Sequence, residues 1–404
     1  MNKYLVLTSR YLAKPLANGI CANNMAKALR DNGNQVWILG TVPSKENVAV
    51  RDSYESVITF DADAVQYTFS RKCKNLLQSF TSLQRNNELV DQYINAASEL
   101  VEKNSIECII AVYFPIETSI AATELKRMYP FLKVVQYELD SFGDGTLMRR
   151  FYMPLIKWRQ KRSIGKLYKI MDDVIIMKSH ENYFRNNFSI GEKLIISDLP
   201  VLLKPESEER NTGEIINFFY TGTIKKSHRN PEKLLNIIRM LSNENYRFHF
   251  YSRGDCEGMI REFAEQDCRI IQHGYVSVDE LDKASRGVNF YLSIGNSNSN
   301  SVPSKVITSL ASGRPIIHIA MQENDICESY LKRYPLACFI KSDWNIKKSV
   351  EQIERFIDKN INARISFEDI EMIFPENTPS HCAKQIENIM SAKKVYDDLK
   401  ETRL

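Results

Sequence analysis

The residues from Gly295 to Ala320 hold the densest chemical signal in the chain. An apolar run, Val288 to Ile294, enters an Asn/Ser-rich loop at 296–301, a short helix opens near Ser304, and Gly313-Arg314-Pro315 stops it before another apolar strand. A strand–loop–helix turn of this kind can trap a phosphate. Free backbone N–H groups at the helix start, the positive end of its dipole and the Lys305 ammonium would face the carboxyl edge of a sheet, where open α/β folds bind ligands. Local chemistry leaves an equal alternative, an ordinary polar connection capped by Ser304.

The elements that must position this turn can be read from apolar patterning. Short β-branched or aromatic runs alternate with amphipathic stretches, which predicts parallel sheets covered on both faces. In the first half the expected strands are Tyr4–Ser9, Gln35–Gly40, Val57–Phe60, Cys108–Phe114, Lys133–Leu139 and Asp173–Lys178. The second half begins afresh with Asn217–Gly222, followed by Phe248–Ser252, Arg269–Gly274, Val288–Ile294, Pro315–Ile319 and Cys338–Ile340. Between the halves, Leu203 to Gly213 is polar, interrupted by Pro205 and without periodicity. The expected architecture is therefore two doubly wound Rossmann-like α/β domains facing across a cleft. Its divisions are a first domain at 1–200, a hinge at 201–214, a second domain at 215–375 and a C-terminal helical segment at 376–404.

Composition excludes several classes. With 404 residues, 43% hydrophobic and 26% charged, the chain is an ordinary globular protein able to bury large cores. A formal net charge of +4 does not by itself imply nucleic-acid binding. No apolar run reaches the roughly 20 residues of a spanning helix. The first nine residues read as a strand and not a signal peptide. Eight cysteines without a C-x-x-C pair suit a reducing cytoplasm and argue against structural zinc. There is no Walker loop, no H-E-x-x-H and no G-x-G-x-x-G after the first strand, which argues against a P-loop ATPase, a zincin and an NAD enzyme. Asp61-Ala62-Asp63 resembles an Asp-x-Asp metal site but reads as a surface turn.

Taken in order, several segments resemble the GT-B-fold glycosyltransferases, in particular the retaining nucleotide-sugar enzymes of bacterial capsule, exopolysaccharide and O-antigen synthesis. The likeness spans nearly the whole chain. It rests on Pro15–Gly19 before a helix at 23–30, Thr221-Gly222-Thr223 with Arg229-Asn230-Pro231, Phe248–Gly254, Gly274-Tyr275-Val276 before Glu280-Leu281, and Val302-Pro303-Ser304-Lys305 with Ala311–Pro315. The resemblance implies a nucleoside diphosphate sugar as donor, with Arg229 and Lys225 or Lys226 offsetting the charge that builds on the leaving phosphate. It assigns Gly19 and Gly222 to close backbone approach, counts Gly254 among the donor-binding residues, and gives the main chain near Tyr275 and Val276 to the base and Ser304 and Lys305 to the phosphates. No cofactor and no obligatory metal are expected. For any single cation of 225–229, a solvated loop is the competing reading.

Two departures matter. Many retaining members carry two glutamates separated by seven residues, and these positions match Asn300 and Thr308, which can hydrogen-bond a sugar or ribose without charge assistance. The histidine that many members place in the first domain is missing from Ala111–Pro115, which leaves Glu138 and Asp140 as acceptor-side candidates. These departures keep open a catalytically silent, nucleotide-sugar-binding or scaffolding homologue. An epimerase of the same two-domain fold is a third reading.

From Arg149 to Lys169 there are eight Lys/Arg and no Asp or Glu. Helical spacing puts Ile156, Ile164, Leu167 and Met171 on one face, while Lys157, Arg159, Lys161, Arg162, Lys166 and Lys169 spread over the other. With Arg149, Arg150, Phe151, Tyr152 and Trp158 close by, this helix suits an anionic membrane surface, and a core helix with a solvated basic face is the alternative. No nucleic-acid motif accompanies it. The resulting expectation is a cytoplasmic glycosyltransferase, peripheral on the inner face of the cell membrane, whose acceptor is a growing polysaccharide or a polyprenyl-linked saccharide. The C-terminal helix, 380–399, would brace the first domain.

Overall fold

A computed structural model describes residues 1–12, 15–43, 50, 52–59, 83, 85–139, 153–205, 213–297 and 302–401. The chain divides into two compact units, Met1–Val201 with Glu376–Leu404, and Leu202–Pro375.

The first unit holds a seven-stranded sheet in the order β3-β2-β1-β4-β5-β6-β7, every adjacent pair parallel. Its strands are β1 (Lys3–Leu7), β2 (Gln35–Val42), β3 (Glu55–Thr59), β4 (Cys108–Tyr113), β5 (Lys133–Glu138), β6 (Asp173–Met177) and β7 (Leu194–Ser197). Its helices are α1 (Ala17–Asp31), α2 (Asn87–Asn104), α3 (Ile116–Met128), α4 (Met153–Ile170) and α5 (Glu181–Asn187). β1 and β4 are buried almost end to end, as parallel strands covered on both faces must be. Six strands fall where apolar runs predict them. β7 was not expected, because an edge strand of four residues, three of them half-buried, carries too little apolar signal.

The second unit repeats the plan with six parallel strands in the order β10-β9-β8-β11-β12-β13. These are β8 (Ile216–Thr223), β9 (Tyr246–Arg253), β10 (Ile270–Gln272), β11 (Phe290–Ile294), β12 (Ile316–Ile319) and β13 (Ala337–Ile340). The helices are α6 (Glu232–Met240), α7 (Glu257–Gln266), α8 (Val278–Arg286), α9 (Ser304–Leu310), α10 (Ile326–Leu331), α11 (Ile346–Asn360) and α12 (Phe367–Ile373).

Register in the second sheet is pinned by aromatic packing. Phe218 stacks on Phe248 at 4.5 Å and on Phe290 at 5.1 Å, with rings within 19° and 17° of parallel. These are also the residues paired across β9-β8-β11. Each such pair adds roughly 0.5–1.5 kcal/mol beyond burial, and a slip of one residue would turn all three rings out of the core. The ladder therefore fixes where the carboxyl ends of β8 and β11 stop relative to each other.

The last helix, α13 (Pro379–Glu401), belongs to the first unit. Cys382, Ala383 and Ile386 are wholly buried there. Glu387 accepts from the amides of Asn32 at 3.1 Å and Asn34 at 2.6 Å, just past the end of α1. Gln385 donates to the Ile196 carbonyl at 2.9 Å.

Candidate functional site

In each sheet the chain starts centrally and changes direction once, between β1 and β4 in the first and between β8 and β11 in the second. At such a switch point neighbouring connections leave on opposite faces and open a crevice at the carboxyl edge. In the second unit the loops that follow β8, β9, β10 and β11 at that edge carry most of the expected donor residues.

β8 ends in Thr221-Gly222-Thr223, with Gly222 at φ 142°, a conformation other residues rarely adopt. Space next to Gly222 is bounded by the Tyr220 hydroxyl and the Arg229 guanidinium, which would lie 3.7 and 4.0 Å from a side-chain carbon placed there. Burial pushes the Tyr220 phenol up to about 12, and Arg229 beside it acts in the opposite sense. The half-buried Arg229 donates from Nε to Asn296 Oδ1 at 2.6 Å and from Nη1 to the Thr223 carbonyl at 3.4 Å. Its backbone N–H closes a turn onto the Lys225 carbonyl at 2.7 Å. Two more bonds join this loop to the end of β11, Ser297 N–H to the His228 carbonyl and Ser297 Oγ to the Ser227 carbonyl, both at 2.8 Å. The loops after β8 and β11 are thus laced together, with one guanidinium held at their seam.

Lys225 and Lys226 are exposed beside it. The Lys226 N–H donates to Asp255 Oδ1 at 2.8 Å, and this bond draws the Asp255 carboxyl below its usual range. Gly254 has φ 136°, and a Cβ there would fall 1.8 Å from the Ile224 carbonyl oxygen. It lets the loop after β9 lie against the loop that carries Arg229. Tyr275 is 65% exposed, and the Arg253 guanidinium lies 5.0 Å from its ring centre. Half-buried Val276 follows, after Gly274 at φ 72°.

Ser304 is the first residue of α9 and not its cap. The cap position is Pro303, which has no side-chain hydrogen bond to give, so the alternative reading of Ser304 as a helix cap does not hold. The side chain of Lys305 is exposed, yet surrounding protein lowers its pKa below the ordinary 10.5 by desolvation. Thr308 Oγ1 donates to the Lys305 carbonyl at 3.2 Å, so its hydroxyl proton is engaged within the helix. Asn300 lies outside the described residues. Arg314, prominent in the sequence beside Gly313, is buried and donates to the Ser285 carbonyl at 2.6 Å and to the Arg286 carbonyl, closing the end of α8.

In the first unit, Gly19 stands in the first turn of α1, where a Cβ would meet the Arg10 carbonyl oxygen at 2.0 Å. Asn18 donates to the Tyr113 carbonyl at 3.0 Å and ties the start of α1 to the end of β4. Phe114, just beyond, is 55% exposed. Glu138 is wholly buried, and its Oε1 accepts from the Tyr168 hydroxyl at 2.6 Å, which places this carboxylate inside the unit and not on its surface. Asp140, Arg149, Arg150, Phe151, Tyr152 and Asp61-Ala62-Asp63 lie outside the described residues. On α4, Ile156, Gln160, Ile164 and Tyr168 are buried, while Lys157, Trp158, Arg159, Arg162, Lys166 and Lys169 are exposed. Lys161 is half-buried and hydrogen-bonded to Asn187. No helix among the described residues is long and apolar enough to cross a membrane.

Sequence reasoning missed Asn296, Ser297 and Asp255. Asn296 and Ser297 follow directly on the glycine that ends an apolar strand. That position, and not their composition, is the signal that could have found them.

No protein-family model and no curated protein matches this sequence. Solved structures do resemble it along its length. TarM shares 9% identity at a TM-score of 0.64, with 96% of this chain and 98% of that one covered. WaaG, a glycosyltransferase involved in lipopolysaccharide biosynthesis, gives 10%, 0.55, 94% and 95%. UDP-GlcNAc 2-epimerase from Methanocaldococcus jannaschii gives 8%, 0.56, 97% and 100%. At such identities the likeness speaks for the fold, and the fold is GT-B.

Proposed function

We propose that this chain is a glycosyltransferase that takes a sugar from a nucleoside diphosphate donor and passes it to a polysaccharide or polyprenyl-linked saccharide in bacterial surface polysaccharide synthesis. The observation that carries the reading is Arg229, held by Asn296 at the β8/β11 switch point beside Gly222. Breaking the bond between sugar and diphosphate leaves negative charge on the departing phosphate, and a fixed guanidinium with nearby ammonium groups stabilises that charge as it forms. In this reading Arg229 meets the diphosphate, Lys225 or Lys226 and Lys305 add charge, and Ser304 offers its backbone N–H. Arg253 and Tyr275 border the base near Val276, and Thr308 faces the ribose or sugar with a neutral hydroxyl. Asn300 completes the set. The reaction needs no metal in this scheme, and retention of configuration is part of the proposal.

The structures with similar folds include one that contains UDP, an alpha-glucosyltransferase in complex with UDP, at 11% identity and TM-score 0.55 over 96% of this chain and 100% of that one. That supports a nucleotide as ligand and does not choose among acceptors. Because an epimerase shares the fold, interconversion of the donor sugar without an acceptor is a second reading. Acceptor-dependent release of nucleoside diphosphate, abolished by Arg229→Ala, would support the transferase. Donor interconversion without acceptor would support the epimerase, and thermal stabilisation by donor without turnover would support a silent binding subunit. A donor shift undiminished in Arg229→Ala and Lys305→Ala would refute the phosphate assignment.

The acceptor proposal extends to a surface. Leu155 and Trp158 are 52% and 54% exposed on α4, and the Arg162 guanidinium lies 5.7 Å from the Trp158 ring centre. With no acid on the helix, this stripe suits an anionic bilayer facing the cytoplasm. Sedimentation with anionic vesicles, lost in Lys157→Glu/Arg162→Glu/Lys166→Glu and absent with neutral vesicles, is the expected result.

A further inference from the structure

Beneath the loop that holds Arg229 lies a second cluster with no part in the scheme above. His318 is the third residue of β12, Asp325 precedes α10 and Cys327 is the second residue of α10. All three are buried, and one ligand atom from each lies within 4.8 Å of the others.

The hydrogen bonding around these atoms is incomplete in one direction. His318 Nδ1 is paired with Ser293 Oγ at 3.0 Å on the neighbouring strand β11. Its Nε2, in a side chain with no solvent exposure, has no short hydrogen bond, and the group it faces is Asp325 Oδ2, 3.4 Å away. Asp325 Oδ1 accepts from the Cys327 N–H at 2.9 Å, and Oδ2 has only a 3.4 Å contact from the Met321 N–H. Gly295 makes room for the carboxylate, since a Cβ there would fall 1.7 Å from Asp325 Oδ2. The imidazole, the carboxylate and the sulfur therefore converge in a buried space, with the Asp325 carboxylate as the partner of both the His318 ring and the Cys327 thiol. Burying an imidazole nitrogen with no closer partner than this is costly.

We propose that His318, Asp325 and Cys327 form a binding site for a divalent transition-metal ion of the zinc type. A nitrogen, a sulfur and an oxygen donor suit zinc and not magnesium or calcium, which prefer oxygen alone. At zinc–ligand distances of about 2.0–2.3 Å, tetrahedral donors stand roughly 3.3–3.8 Å apart; the His318–Asp325 separation of 3.4 Å falls in that range, and the three donor atoms, all within 4.8 Å of one another, would close on the ion. Ion binding releases one proton, from the Cys327 thiol, and the thiolate and carboxylate together balance the two positive charges. Three protein ligands leave the fourth position open. The ion would tie β12 to α10 directly below Gly295, the residue before Asn296, and so make the seam of the neighbouring site rigid. Nothing in this inference requires the donor assignment. It departs from the expectation of a metal-free protein because H-x6-D-x-C matches no familiar ligand spacing.

The test uses the full chain expressed with zinc or cobalt in the medium, since buried ligands load best during folding. The expected result is about one zinc per chain, together with a sulfur-to-cobalt charge-transfer band in the cobalt form. That band should disappear in Cys327→Ser and persist in Cys256→Ser, a buried cysteine elsewhere in the unit. Should Cys327→Ser fold poorly, loss of metal in His318→Gln and a lower Tm of the wild-type protein after strong chelation read the same point. Metal-free wild-type protein whose cobalt form lacks the band, with a Tm indifferent to chelator, would overturn the proposal and leave a proton shared between His318 and Asp325.

Discussion

If Asn296 acts on the reaction only by aiming Arg229, removing both residues should cost no more than removing Arg229 alone. The 2.6 Å bond from Arg229 Nε to Asn296 Oδ1 is charge-assisted and part-buried. Bonds to charged groups contribute about 1.5–3 kcal/mol, equivalent to about 10- to 150-fold in rate if the whole interaction is spent on orientation. Arg229→Ala removes the charge itself and should cost about 100- to 1,000-fold in kcat, the usual scale for one stabilising donor. Asn296→Ala should therefore fall between wild type and Arg229→Ala. The double variant should match Arg229→Ala, a coupling of about 1.5–3 kcal/mol. The assay is acceptor-dependent release of nucleoside diphosphate, with Tm measured alongside. Arg229 is half-buried, so water can replace Asn296 and the fold should lose only about 1 kcal/mol, or roughly 2–4 °C. Losses that multiply in the double variant would show that Asn296 meets the substrate by itself, and the positioning argument would be wrong.

Four further outcomes are expected. Gly254→Ala should lower the Tm by about 5 °C or more, because φ 136° and a contact 1.8 Å from the Ile224 oxygen oppose any Cβ. Gly258→Ala, with nothing within 4 Å in α7, should raise stability by up to about 1 kcal/mol in the same melts. Lys305 binds an anion only while protonated and desolvation lowers its pKa, so donor affinity should hold at neutral pH and fall as pH rises through a midpoint below 10.5; Lys305→Arg should abolish that fall. Calorimetric titration between pH 7 and pH 10 (both approximate settings) reads this, and a flat wild-type profile would exclude Lys305 from the phosphate site. Arg314→Ala should reduce stability by about 1–3 kcal/mol by freeing the Ser285 and Arg286 carbonyls, while KM for donor stays as it was; a raised KM with an unchanged Tm would contradict the structural role.

The fold was legible because parallel strands buried on both faces must be apolar without interruption, and runs such as Cys108–Tyr113 and Phe290–Ile294 announce that. β7 escaped for the converse reason, since half-burial at an edge dilutes the run. The site was legible only in part. Arg229 could be picked out through the order of its neighbours, but Asn296 stands 67 residues away, and only the tertiary structure brings the two together. Local chemistry misled at Ser304, where a good capping residue falls one position inside the helix.

What turns distant residues into one site here is register. Phe248, Phe218 and Phe290 stack across β9, β8 and β11, and three residues separate Phe218 from Gly222 just as three separate Phe290 from Ile294. The ladder thus delivers both strand ends to the same edge, where Ser297 and Asn296 reach the loop from Lys225 to Arg229. If that edge holds the donor, a core residue far from it would govern the chemistry through geometry. Replacing Phe218 with leucine keeps an apolar core but removes both stacked pairs. If register is what positions Arg229, kcat should fall further than the loss of stability predicts, and a variant that melts earlier yet turns over as the wild type would show that the strand ends are held by the loops alone.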